Sequence, residues 1–197
     1  MMAEVKPVVR LVIFFLFGVL SGGNIQAGLP ETVAKVKRSV VSVGTYQRLR
    51  APPGNFMGTG FAISGGNHVI TNSHVVPDTL DPSKKEMLSV FFRNGEKVEM
   101  RKADLLARDR EHDLALLYIP GRPLPALKLG DAENVVEGRL YGFTGFPIGM
   151  VLGMTPVTHR GIVSAITPVA IPANSARNLE ARPLRRLRNP YKVFQLD

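Results

Sequence analysis

From Ser39 onward the chain is a succession of short β-branched and apolar runs cut by glycine-bearing turns, and this punctuation constrains the fold more than any other feature. Ser39-Val40-Val41-Ser42-Val43-Gly44-Thr45 has the composition and polar boundaries of a strand. Residues 61–64, the turn Gly65-Gly66-Asn67 and residues 68–71 form a hairpin signature, in which glycine supplies the positive φ of the turn. A second hairpin is expected from residues 88–92, Asn94-Gly95 and residues 97–100. The apolar run 114–119 is too short for a helix and suits a strand buried on both faces. Proline-bounded residues 120–125 end it, residues 127–134 read as a connector, and strands resume at 139–143, 157–166 and 192–196. That gives about six strands before the connector and about three after it, with a short helical turn at 29–37 in front.

Nineteen Gly and fifteen Pro in 197 residues favour this all-β arrangement over a helical bundle. No fixed-period repeat suggests a solenoid or propeller. A chain that is 45% hydrophobic and 21% charged has ordinary globular composition, enough for one domain with a sizeable core. The absence of Cys removes disulfides, thiolate zinc sites and a cysteine nucleophile together, and says little about compartment.

The N-terminus says more. Lys6 and Arg10 precede an apolar run to Leu20, and a small, polar stretch ends at Ala27, the pattern of a signal peptide cleaved after Ala27. An uncleaved anchor touching the membrane surface is the alternative, although Pro7 and Gly22 bound the run below the ~20 residues of a membrane span. Either reading places the domain outside the cytoplasm. The formal charge of +9 is densest at Arg177, Arg182, Arg185, Arg186, Arg188 and Lys192. Without interleaved aromatics or a DNA-binding helix this cluster reads as a solvated loop, and no nucleic-acid partner is expected.

Two segments can carry chemistry. In Ile70-Thr71-Asn72-Ser73-His74-Val75-Val76 a histidine follows a strand on a turn that can present its ring to a cleft, and imidazole is the natural general base near neutral pH. In Glu111-His112-Asp113-Leu114-Ala115-Leu116-Leu117 an acid heads the most apolar strand. Burying that carboxylate costs several kcal/mol unless it is paired, and a catalytic imidazole would pair it. Asp104 and Asp109 are rival acids, and Asp113 can equally begin its strand at the surface.

These two segments, with Gly58-Thr59-Gly60-Phe61 before them and Leu129-Gly130-Asp131-Ala132 and Gly161-Ile162-Val163-Ser164-Ala165-Ile166 after, resemble the HtrA (DegP-like) branch of trypsin-like serine proteases over about residues 29–197. The resemblance implies a chymotrypsin-like double β-barrel with the site between the barrels, His74 as general base and Asp113 as the acid that orients it. The order His, Asp, Ser is the chymotrypsin-type order. In the family a Gly-Asn-Ser-Gly-Gly segment follows the strand that 193–197 resembles, whereas this chain stops at Asp197. The expected organisation is therefore a signal peptide at 1–27 and a protease domain at 28–197. The first barrel is complete over about 33–126, and the second is half present over about 136–197 and poorly packed.

No internal serine is an obvious substitute. Ser73 neighbours His74 and points to the opposite side, Ser175 lacks flanking glycines, and Ser164 lies within a strand pattern. Gly58-Thr59-Gly60 is no nucleotide fingerprint, since no helix follows it. His74, His112, Asp113 and His159 mimic a metal phosphohydrolase pattern, but they lie on strands and turns without the i, i+4 spacing of a helical ligand pair. No metal or cofactor is expected. The implied function is serine endopeptidase activity on polypeptides for a full-length parent, with no turnover by this chain alone. A non-catalytic envelope or peptide-binding relative, or a gene fragment, is the alternative.

Overall fold

The computed structural model describes residues 28–146, 154–168 and 191–197; the leader, Ser175 and the arginines at 177–188 lie outside them. One helix, α1 (Leu29–Lys37), opens the described chain, with Pro30 in its first turn and Lys35 and Lys37 in its last, where they complement the helix dipole. Ten strands follow: β1 (Val40–Tyr46), β2 (Gly54–Ile63), β3 (His68–Asn72), β4 (Met87–Asn94), β5 (Lys97–Lys102), β6 (Asp104–Asp109), β7 (Leu114–Tyr118), β8 (Leu140–Gly145), β9 (Val157–Pro168) and β10 (Lys192–Leu196).

The first seven form one antiparallel sheet in the order β5-β4-β1-β2-β3-β7-β6, and the last three form a second in the order β10-β9-β8. Both expected hairpins are present. Ile63 pairs with His68 across a turn in which Gly65 and Gly66 have φ of 78° and 90°, and Asn94 pairs with Lys97 across Gly95. The two edge strands of the large sheet, β5 and β6, are one run of chain joined by the buried Ala103, whose N–H donates to Leu88 O. The sheet is thus rolled so that one bent strand serves both its ends, although no ladder joins β5 to β6.

The core lies inside this roll. Val41, Val43, Val69, Val90, Leu117 and Ile119 are fully buried, each burial stabilising by about 1.5–3 kcal/mol before chain entropy is counted. The strand covered on both faces is β1: Val41 and Val43 enter the core, while Val40 on the opposite face meets α1 and β8. This corrects the expectation for residues 114–119. β7 alternates instead, with Ala115 and Leu117 inward and Leu114 and Tyr118 exposed. Its pairing with Asn72 and Asp109 at Leu114 fixes that phase.

The Gly-Thr-Gly segment of β2 is explained by close approach. A Cβ on Gly58 would lie 2.4 Å from Val75 Cγ2, and one on Gly60 would lie within 3.0 Å of Val69, Val43 and the Ile70 carbonyl. Gly60→Ala is expected to cost about 1–3 kcal/mol, read as a lower urea midpoint at unchanged slope. An unshifted midpoint would show that β3 moves aside freely.

Thr59 between the glycines joins the sheets, its hydroxyl accepting from Phe146 N–H at 2.9 Å. Beyond this seam packing is thinner. Among the described residues Val163 is the one buried apolar side chain of the second sheet, while Leu140, Phe194 and Leu196 are exposed. Amides of β8 and β10 are expected to exchange on the order of 100-fold faster than those at the centre of β1 and β4; equal protection would count against this difference.

Candidate active site

β3 ends at Asn72, and a tight turn over Ser73–Val75 follows it. Ser73, Val75 and Val76 are buried, so the turn is anchored on both sides of His74, whose side chain is 71% exposed. Ser73 is buried where His74 is exposed, and both border the same small cavity, because residues 73–75 form a turn and not the extended chain from which opposite facing was expected.

Asp113 comes from the turn before β7 and takes a left-handed backbone, φ 56°, which Asp tolerates better than most residues. Its carbonyl accepts from Ser73 N–H at 3.0 Å and from the Asn72 amide at 3.2 Å. One carboxylate oxygen accepts from the backbone N–H of His74 at 2.9 Å, and the other lies 2.6 Å from His74 Nδ1 and 3.3 Å from the Asn72 amide. Asp113 thus holds the main chain of His74 as well as its ring. The carboxylate is not fully buried, as the apolar run after it had suggested, but 36% exposed, because it sits on the turn ahead of the strand. Burial pushes its pKa up, yet the His74 backbone N–H, the imidazole and the Asn72 amide outweigh this, and the net direction is downward.

The rival acids are engaged elsewhere. Asp109 accepts from the backbone N–H groups of Glu111 and His112 and from the His112 ring at 2.6 Å, and Asp104 pairs with Lys102 at 2.8 Å. His159 lies on β9 opposite Phe143. Among the described residues no three His, Cys, Asp or Glu side chains gather as a metal site would require.

Two positioning groups escaped the sequence reading. Asn72 has its signal in its place two residues before the histidine. Arg108 has none: from β6 it donates to Val76 O at 2.9 Å and to Pro77 O at 3.3 Å and pairs with Asp78, clamping the chain that leaves His74. Arg108 borders a cavity of about 290 Å³ that His74 and Asp113 also line. Among the described residues no hydrogen bond is made by His74 Nε2.

An all-antiparallel fold with an imidazole set on a turn-borne carboxylate, histidine before aspartate in the chain, agrees with the trypsin-like class of peptidase domains. Residues 58–187 match the family of trypsin-like peptidase domains, and the chain belongs to that family. Its curated relatives include proteins named probable periplasmic serine endoprotease DegP-like. That of Pseudomonas fluorescens is 36% identical over 110 residues, 56% of this chain and 20% of the relative. That of Halomonas elongata is 33% identical over 110 residues, with the same coverage, 56% and 20%. That of Pseudomonas fulva is 30% identical over 154 residues, 75% of this chain and 29% of the relative. The chain thus spans between a fifth and three tenths of the length of these relatives.

Proposed function

We propose that this chain carries the general base and orienting acid of a serine endopeptidase that acts on polypeptides outside the cytoplasm. The supporting observation is the 2.6 Å contact between His74 Nδ1 and Asp113, made while the same carboxylate holds the His74 main chain. With Nδ1–H donated to Asp113, the Nε2 lone pair is directed away from the acid, ready to take the proton of a serine hydroxyl as it attacks a carbonyl. Asp113 then stabilises the imidazolium until the proton passes to the leaving amine. Asn72 and Arg108 position these groups.

In this reading residues 1–27 are a leader removed on export and residues 28–197 belong to the protease domain, with the first barrel over about 33–126 and part of the second over about 136–197. The leader pattern and the periplasmic relatives support the compartment. Among the described residues no serine hydroxyl hydrogen-bonds His74, so in this reading none of them is the nucleophile. Purified 197-residue protein is therefore expected to leave unfolded casein intact. Cleavage abolished both by His74→Ala and by a serine-directed inhibitor would overturn that inactivity. In a form extended by a Gly-Asn-Ser-Gly-Gly segment and the strands after it, cleavage should appear and be lost with His74→Ala. Cleavage that survives this substitution would overturn the role given to His74.

A further inference from the structure

A second concave site, built from different elements, bears no part of the histidine–aspartate pair. It is a groove of about 770 Å³ where the end of α1, the β4–β5 hairpin, the segment after β7 and the approach to β9 converge. Lys37, Arg38, Arg93, Arg101 and Arg122 line it, and among the described residues no carboxylate does. Arg101 is committed to the fold: its guanidinium stacks 4.7 Å over the buried Phe92 ring, bonds Arg122 O and lies 3.8 Å from Glu99. Lys37, Arg38, Arg93 and Arg122 have no acidic partner among the described residues. Among the described residues the side chain of Arg93 reaches the Thr155 hydroxyl alone, at 3.4 Å.

Four cations converging without a counter-charge repel one another, and an anion entering the groove relieves that repulsion. Guanidinium forks match carboxylates in two-bond geometry. The lining also includes Leu124 and the prolines Pro123, Pro125 and Pro156, which offer apolar surface that takes up side chains rather than a bare polyanion. We infer that this groove binds an acidic polypeptide segment in extended conformation, Glu or Asp side chains meeting the cations and apolar side chains the prolines. It is a docking site apart from the histidine–aspartate pair and does not depend on the peptidase reading.

The test is fluorescence anisotropy of the 197-residue protein with a labelled decapeptide of alternating Glu and Leu, beside matched Gln/Leu and Lys/Leu peptides. The Glu/Leu peptide should bind at least about tenfold tighter than either control, weakening as salt rises. Arg93→Gln with Arg122→Gln, both exposed and outside the core, should weaken it at least about tenfold. Arg185→Gln with Arg186→Gln should leave it within about twofold. Loss on the second pair but not the first would overturn the assignment in favour of the C-terminal arginines. Equal binding of the Gln/Leu peptide would overturn the charge argument. Inorganic tripolyphosphate binding more tightly than the peptide would overturn the polypeptide in favour of a phosphate polymer.

Discussion

Asp113→Asn is expected to lower kcat about 10⁴-fold in a form of the protein that carries its serine, with KM changed far less. The direction follows from two bonds made at once. The His74 backbone N–H needs an acceptor, at present a carboxylate oxygen 2.9 Å away. In the asparagine variant the amide oxygen takes that place, which turns the NH₂ toward His74 Nδ1. Nδ1 must then accept, the ring proton moves to Nε2, and the nitrogen that should take the serine proton is blocked. The fold survives, because the Asp113 carbonyl keeps its bonds to Ser73 and Asn72. The 197-residue chain itself can report the tautomer by ¹⁵N NMR: Nδ1–H in the parent and Nε2–H in Asp113→Asn. An unchanged tautomer would remove the explanation, and a loss in kcat below about tenfold would remove the role.

What the sequence discloses of this arrangement is uneven, for identifiable reasons. Glycine turns and β-branched runs mark β1, both hairpins and the strands of the second sheet, since turn chemistry is local. β6 goes unseen: Asp104-Leu105-Leu106-Ala107-Arg108-Asp109 has no β-branched residue and no clean alternation. A register shift between Leu105 and Ala107 breaks its phase against β7, so its strand character comes from pairing alone. The first half of β2 is missed too, because its glycines read as loop until Val75, Val69 and Val43 are seen to occupy the space of a Cβ. For β7 a wholly apolar run gave no sign of which residues face outward, and the neighbouring strands decide it. His74 and Asp113 were legible as candidates, yet the choice of Asp113 over Asp109 rests on where the 109–113 turn points each carboxylate. The groove was not legible at all, since its cations are spread from Lys37 to Arg122.

Distance along the chain also hides a polar cluster that contributes to acid stability. Glu86, 18% exposed, accepts from Thr45 Oγ1 at 2.7 Å and Arg50 Nη1 at 2.9 Å, and from Asp81 N–H at 3.2 Å. Arg50 in turn donates to the Thr45 carbonyl at 2.9 Å and the Pro53 carbonyl at 3.0 Å, tying the β1–β2 connection to the start of β4. These partners, Thr45 first, hold the Glu86 carboxyl below its ordinary range despite partial burial. A carboxyl whose folded pKa is depressed adds stability that is present above its unfolded pKa, about 4.3, and is lost as pH falls through the folded value. Glu86→Gln keeps the shape, removes the charge and leaves Arg50 partly buried without its counter-ion. It should cost about 2–3 kcal/mol at pH 7. In urea titrations of the two proteins the gap between midpoints should be wide at pH 7 and narrow steadily below about pH 4, as the parent's own Glu86 takes up its proton. A gap of the same size at pH 3 and pH 7 would mean that the carboxylate contributes through packing alone, and the electrostatic account of this corner would have to be given up.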